Sequence, residues 1–168
     1  DISFGMPLRL EEGYGLNADR VDAARKDGIS LIITVDNGIA AHEAADRARE
    51  IGVDLIVTDH HAIEQGLPEA VAVINPQREE PGHPCGMLSG AGVAFKLSTA
   101  LNGTPNDLDI AALGTVADIV PLLGENRVIV SLGLRHMAKH QRTGIASLAQ
   151  AAGVDLNEVS SSNIGFQL

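Results

Sequence analysis

The amino-acid sequence predicts an α/β fold, with a parallel sheet covered by helices on both faces and followed by a mostly helical part. Three continuous apolar runs rich in β-branched residues, Ser30–Val35, Asp54–Thr58 and Ala70–Ile74, are typical of strands buried on both faces. A charged, alanine-rich segment with helical spacing, Ala40–Ile51, lies between the first two runs. Strand, helix and strand at this spacing indicate a parallel sheet.

The remaining elements follow from local capping and turn signals. Asn17–Asp27 has helical spacing, with Asn17 as the cap and Gly28 as the end. After Pro76 the sequence changes to a loop rich in Pro, Gly and charge, Gln77–Leu88. We therefore expect an α/β core over residues 1–76 and a mostly helical part over residues 77–168, both within one partial domain. The further predicted helices are Ser89–Asn102, Asp107–Ile119, Arg127–Lys139 and Ile145–Ala152.

Composition and charge exclude several classes of protein. The chain has 168 residues, 45% hydrophobic and 20% charged, which is ordinary for a globular domain and unlike a disordered segment. No apolar run is long enough to span a membrane. The single cysteine, Cys85, precludes an intramolecular disulfide and indicates a reducing compartment, so we expect a cytoplasmic protein. The net charge of −10 argues against a nucleic-acid partner, unless metal ions neutralise the acidic site and other domains supply a basic groove.

Polar residues follow the first two predicted strands. Asp36 comes directly after the first strand, and the run Asp59-His60-His61 comes directly after the second. The ends of parallel strands lie at one edge of a sheet, and the 23 residues between Asp36 and Asp59 fit one strand-helix-strand unit. Carboxylates and imidazoles together suit Mn²⁺ or Mg²⁺, with Zn²⁺ or Fe²⁺ also possible. The pattern predicts a divalent-metal site for phosphoester hydrolysis.

Simpler interpretations exist for each of these residues. Asp36 at a strand end has the position of a cap for the next helix, and His60-His61 has the pattern of a surface pair. His136 and His140 have a ligand-compatible helical spacing but no accompanying carboxylate motif, so we expect them to be structural. The metal hypothesis depends on Asp36 and the histidine pair meeting at one edge.

The two strand-end motifs resemble those of the DHH phosphoesterase superfamily. The block VTDHH at Val57–His61 resembles its signature, and TVDNGI at Thr34–Ile39 resembles its preceding aspartate motif. With the further blocks, the chain is similar to the RecJ-type branch of single-strand-specific 5′→3′ DNA exonucleases. These further blocks are EGYGLN at Glu12–Asn17, VINPQ at Val73–Gln77, LSGAGVAFKL at Leu88–Leu97, ALGTVADIVPLLGENR at Ala112–Arg127 and NIGFQL at residues 163–168.

The resemblance implies roles for individual residues. Asp36 would be a carboxylate shared between two Mn²⁺ or Mg²⁺ ions, His60 would bind one of them, and Asp118 would complete the shell of that ion. His61 would face the scissile phosphate or its water, and Asp59 would orient the histidines. From the residues alone, Asp118 has the character of a helix cap.

The resemblance also leaves two glycines open to two interpretations. Gly90 and Gly92 would either present backbone N–H groups to the substrate at a helix N-terminus or allow close helix packing. We give both interpretations equal weight.

The sequence departs from the family pattern at its two ends. The first motif of the family, an aspartate-rich segment that binds both ions, is expected upstream of Asp1, and a second, glycine-rich domain is expected after Leu168. We therefore expect a fragment that binds at most one ion well and is inactive alone. The implied activity of the intact protein is 5′→3′ hydrolysis of single-stranded DNA in repair and recombination. The alternatives are a related enzyme acting on pyrophosphate, short oligonucleotides or cyclic dinucleotides, and a non-catalytic scaffold.

Overall fold

The computed structural model describes residues 2–6, 15–139 and 142–168, and it confirms the α/β fold with a parallel sheet. Within the chain two compact units can be distinguished, Asp1–Asn75 and Pro76–Leu168. Their boundary lies beside residue 76, where the sequence changes in character. Among the described residues, no helix is both long enough and apolar enough to cross a membrane.

The described residues of the first unit form two helices and three parallel strands, and the strand order in the sheet is β1-β2-β3. The register aligns Ile33 of β1 with Ile56 of β2, and Ile56 with Ala72 of β3. The elements are α1 (Ala18–Lys26), β1 (Leu31–Ile33), α2 (His42–Ile51), β2 (Asp54–Thr58) and β3 (Ala72–Ile74).

The helix ends in this unit follow the local signals. Asn17 caps α1, because its side chain accepts a hydrogen bond from the N–H of Arg20 at 2.9 Å. Gly52 ends α2 in the left-handed conformation that glycine adopts readily.

One face of the sheet packs against the helices. Val21 of α1 and the alanines of α2 form a core with Leu55 and Val57 of β2, which are 2% and 0% exposed. Leu31 and Ile33 of β1 are 44% and 43% exposed, so β1 is not buried on both faces as its apolar run predicts. Apolar composition favours a strand, but burial depends on which elements cover it.

The second unit is helical. Helix α3 keeps its expected ends, with Ser89 and Gly103 flanking it, whereas α4 ends at Ala117 rather than at Ile119 and α5 begins at Gly124 rather than at Arg127. Two further features differ from expectation: Gly144 lies inside α6 rather than before it, and a short helix, α7, forms beyond the predicted helices around a capping box between Ser160 and Asn163. The elements are a 3₁₀ helix (Pro76–Arg78), α3 (Gly90–Asn102), α4 (Leu108–Ala117), α5 (Gly124–Lys139), α6 (Thr143–Ala152) and α7 (Ser161–Phe166).

Helix α4 packs closely against α3 and α5 because glycines lie at the contacts. A Cβ atom on Gly133 of α5 would lie 2.3 Å from the Cβ of Ala112, and one on Gly114 would lie 2.6 Å from the Cβ of Ala91. Neither position has room for a side chain, so backbone contact between helices organises this unit.

Candidate metal centre

Backbone hydrogen bonds continue beyond the strand ends, from β1 to β2 and from β2 to β3. The N–H of Asp36 donates to the carbonyl of Thr58 at 3.0 Å, and the N–H of Asp59 donates to the carbonyl of Ile74 at 3.0 Å. The hydroxyl of Thr58 also donates to the carbonyl of Thr34 at 2.6 Å. These bonds continue the parallel pairing, so Asp36 and Asp59 leave the sheet at the same edge.

The turn after β1 places Asp36 in a conformation that is rare for a residue with a side chain. Its φ is +63°, and Gly38 follows with a φ of +107°. A Cβ atom on Gly38 would lie 2.8 Å from the Thr34 hydroxyl, so only glycine fits there. The N-cap of α2 is Ala41, which makes no side-chain cap bond. The capping interpretation of Asp36 is therefore wrong.

Asp36, His60 and His61 form a cluster of metal-ligating side chains. Each offers one ligand atom, and these atoms lie within 4.8 Å of one another. The Nε2 atom of His60 lies 3.1 Å from Oδ1 of Asp36, and the rings of His60 and His61 have centroids 4.5 Å apart. His60 is mostly buried, whereas the other two side chains are about half exposed. One carboxylate and two imidazoles within this distance fit a divalent transition-metal ion.

Asp59 lies under the cluster and is 1% exposed. Its Oδ2 accepts from the N–H of Ile39 at 2.9 Å, and its Oδ1 accepts from the N–H groups of His60 and His61 at 2.7 and 3.2 Å. Burial alone would raise the pKa of the Asp59 carboxyl, but the hydrogen bonds from Ile39, His61 and His60 outweigh it and lower the pKa. Asp59 is therefore held as a carboxylate.

The carboxylate of Asp59 also fixes the ring of His61. The Nδ1 atom of His61 lies 2.6 Å from Oδ1 of Asp59, and an ionised carboxylate only accepts, so Nδ1–H donates. This tautomer leaves the lone pair of the ring on Nε2. Asn75 supports the same residue, since its Nδ2 donates to the His61 carbonyl at 3.0 Å. Asn75 was not predicted as a site residue from the sequence, and its position directly after β3 was the available signal.

Gly90 and Gly92 lie in the first turn of α3 and are buried. The N–H of Gly92 donates to the hydroxyl of Ser89 at 3.0 Å, and a Cβ atom on Gly92 would lie 2.9 Å from Leu88. For Gly92 this geometry supports close packing rather than substrate binding. A substrate role for Gly90 stays a prediction.

Asp118 lies at the end of α4 in the second unit. Its N–H donates to the carbonyl of Gly114 at 3.0 Å, which is the cap position that its sequence context predicts. The metal role of Asp118 therefore rests on the resemblance. Of the two candidate structural histidines, His136 lies 3.9 Å from the buried carboxylate of Asp109, and His140 lies outside the described residues.

A parallel sheet with acidic and histidine residues at its strand ends is the arrangement that the resemblance to metal-dependent phosphoesterases predicts. Residues 3–117 match the family model "DHH family, N-terminal domain". Because this match covers more than half of the chain, the chain belongs to the DHH family.

Within that family, the chain is similar to single-stranded-DNA-specific exonucleases. The chain is 44% identical over 169 residues to the single-stranded-DNA-specific exonuclease RecJ of Bacillus subtilis, covering 99% of this chain and 22% of that protein. It is 40% identical over 186 residues to RecJ of Escherichia coli, covering 100% of this chain and 32% of that protein. The chain thus spans between a fifth and a third of the length of these curated relatives.

Solved structures show the same likeness. The crystal structure of an exonuclease RecJ bound to manganese has a TM-score of 0.83 and 36% identity, covering 96% of this chain and 42% of that one. The structure of RecJ from Thermus thermophilus in complex with Mn²⁺ has a TM-score of 0.77 and 33% identity, covering 89% of this chain and 23% of that one.

Proposed function

We propose that the chain is the metal-binding part of an enzyme that hydrolyses phosphodiester bonds of single-stranded DNA from the 5′ end, with Mn²⁺ or Mg²⁺. The observation that carries this proposal is the cluster of Asp36, His60 and His61, whose ligand atoms lie within 4.8 Å of one another. The relatives of known structure support the choice of metal, since they are described as bound to manganese or magnesium. The curated relatives support single-stranded DNA as the substrate.

Each residue of the cluster has a distinct part in this proposal. A bound divalent ion supplies an activated water and stabilises the negative charge that develops on the phosphoryl oxygens. Asp36 and His60 hold the ion, and His61 presents Nε2 to the phosphate or its water because Asp59 occupies Nδ1. Asp118 is the further ligand that the resemblance implies, and Gly90 is a substrate contact on the same ground.

The acidic charge of the chain bears on how DNA would bind. With a net charge of −10, these residues repel a polyanion, so the basic surface for DNA lies in other parts of the protein. We propose that these 168 residues alone bind one ion at most and lack activity. A place in cytoplasmic DNA repair and recombination follows from the same proposal.

The test is hydrolysis by the full-length protein with Mn²⁺ on three substrates: 5′-labelled single-stranded DNA, pyrophosphate and a cyclic dinucleotide. We expect release of nucleotides from DNA, and a loss of about 1,000-fold in Asp36→Ala, because a ligand of the ion contributes several kcal/mol to transition-state stabilisation. Asp46→Ala is the matched control, since Asp46 is an exposed aspartate on α2 paired with Arg49.

The outcomes separate the hypotheses. Hydrolysis of pyrophosphate or the cyclic dinucleotide without hydrolysis of DNA would replace the exonuclease proposal with the small-substrate alternative. Equal activity of Asp36→Ala and Asp46→Ala on DNA would remove Asp36 from the active site. Activity on none of the substrates would favour the scaffold hypothesis.

A further inference from the structure

The backbone after α4 is strained next to Asp118. Ile119 has a φ of +58°, and in the described part of the chain Asp36 and Ile119 are the two residues other than glycine with a positive φ. A β-branched residue rarely adopts this conformation, which persists only where the surrounding structure enforces it. The side chain of Ile119 is 90% exposed, so its own packing does not hold the turn.

A buried hydrogen-bond network holds this turn from both sides. Asn126 of α5 is 1% exposed, and its Nδ2 donates to the carbonyl of Pro121 at 3.1 Å and to that of Met87 at 2.5 Å. Its Oδ1 accepts from the N–H of Ser89 at 3.4 Å. The Ser89 hydroxyl lies 2.8 Å from the Thr115 hydroxyl, and both residues are 0% exposed.

Residues bonded in this network lie on both sides of Asp118 in the sequence. Thr115 lies three residues before it and Pro121 three residues after it, and both are tied to the same buried group of side chains. Between them, the N–H groups of Asp118 and Ile119 donate to carbonyls of the last turn of α4. The direction in which Asp118 leaves the helix is therefore set by contacts distant in sequence.

We propose that Asn126 is a positioning residue for Asp118, and that it acts through the Pro121 carbonyl and through Ser89 and Thr115. This inference rests on the proposed function, in which Asp118 binds the metal ion. Asp36 is itself one of the two non-glycine residues with a positive φ in the described part of the chain, and Asp118 directly precedes the other, Ile119. Groups that orient a metal ligand typically change metal affinity 10- to 100-fold when they are removed.

The experiment is a double-mutant cycle on the full-length protein, with the Mn²⁺ dissociation constant measured by calorimetry and by the spin-resonance signal of bound Mn²⁺. We expect Asp118→Asn and Asn126→Ala each to weaken Mn²⁺ binding, the second by roughly 10-fold or more. The double variant should bind Mn²⁺ no more weakly than Asp118→Asn, since Asn126 acts only through Asp118. Asn157→Ala, an exposed asparagine bonded to Asp155, is the control and should bind Mn²⁺ as the unaltered protein does.

If Asn126→Ala does not fold, a second variant, Thr115→Val, provides the test. Thr115→Val removes one hydroxyl at nearly constant volume, and Ser89 keeps its bond from Gly92. It should weaken Mn²⁺ binding several-fold, and this effect should vanish in the Asp118→Asn background. A purely structural role would lower the melting temperature without metal and leave the affinity of the folded protein unchanged.

Two results overturn the inference, and they can be told apart. Unchanged Mn²⁺ affinity in Asp118→Asn would remove Asp118 from the metal site, and the positioning role of Asn126 with it. Weaker binding in Asp118→Asn, with normal binding in Asn126→Ala or in Thr115→Val, would overturn the positioning role alone and leave the proposed ligand in place.

Discussion

Asp59 in the first unit and Asp109 in the second are both buried carboxylates, each 1% exposed, but different groups compensate their charges. Asp109 is paired with an arginine: Nε of Arg142 donates to Oδ2 at 3.0 Å and Nη2 donates to Oδ1 at 3.2 Å. Asp59 accepts from three backbone N–H groups and from the ring of His61.

In the proposed function, the difference separates a structural carboxylate, Asp109, from a functional one, Asp59. Arg142 is a permanent cation and neutralises Asp109 while joining the start of α6 to α4. Backbone dipoles stabilise Asp59 without adding a permanent cation, and its bond to Nδ1 of His61 places the lone pair of that ring on Nε2. Burial of a carboxylate is therefore not enough to indicate a site, and the chemistry of its partners distinguishes the two.

The largest expected effect tests the functional side of this comparison. In Asp59→Asn, an amide NH₂ would replace one of the oxygens that now accept hydrogen bonds from backbone N–H groups. Two donors would then face each other, and we expect His61 to lose its fixed orientation. We expect Mn²⁺ binding and DNA hydrolysis by the full-length protein to weaken about 100-fold. Calorimetric titration of Mn²⁺ measures the binding, and normal binding in this variant would contradict the assigned role of Asp59.

The next effect tests the structural side. Asp109→Asn removes a charged partner of Arg142 and should lower the free energy of unfolding by about 2 kcal/mol, with Mn²⁺ affinity unchanged. Arg142→Lys keeps the charge but loses the bidentate hydrogen bonding, so we expect the free energy of unfolding to fall by a smaller amount, about 1 kcal/mol. Urea unfolding measures both variants. A loss of metal binding in Asp109→Asn would break the distinction drawn between Asp59 and Asp109.

The smallest effect is a change in pH dependence. Burial acts to raise the pKa of the Asp109 carboxyl, but hydrogen bonds from Arg142 and Ile110 outweigh it and lower the pKa below its usual value of 3.8. Because the folded-state pKa lies below the unfolded one, this group contributes stability above about pH 4, and the contribution is lost as the pH falls through the folded-state value. Urea unfolding between pH 7 and pH 3 should therefore show a shallower decline in Asp109→Asn, and equal slopes would refute the prediction.

Much of the fold could be predicted because its signals are local. The cap at Asn17, the stop at Gly52 and the bounds of β2 at Asp54–Thr58 agree with the sequence analysis. The burial of β1 and the presence of α7 could not be predicted in this way. The first depends on which elements cover a strand, and the second is a helix of six residues, too short for a periodic pattern.

The residues of the candidate site also differ in how they could be predicted. Asp36 and the run Asp59-His60-His61 were identified because each follows an apolar strand, and parallel strands end at one edge. Asp118 was identified only from the family resemblance, since its sequence context shows no more than a polar residue near a helix end.

The sequence by itself determined the positions of the strands, the helix ends at Asn17, Gly52 and Gly103, and the polar residues at the strand ends, because these features depend on neighbours in the chain. Only the tertiary structure decided which residues form hydrogen bonds and ion pairs with the buried polar groups. Arg142 is 33 residues from Asp109, and Asn126 is 37 residues from Ser89. A buried polar group is stable only with a partner in space, and partners at such separations are chosen by packing. For that reason the different partners of Asp59 and Asp109 could be identified only in the folded chain.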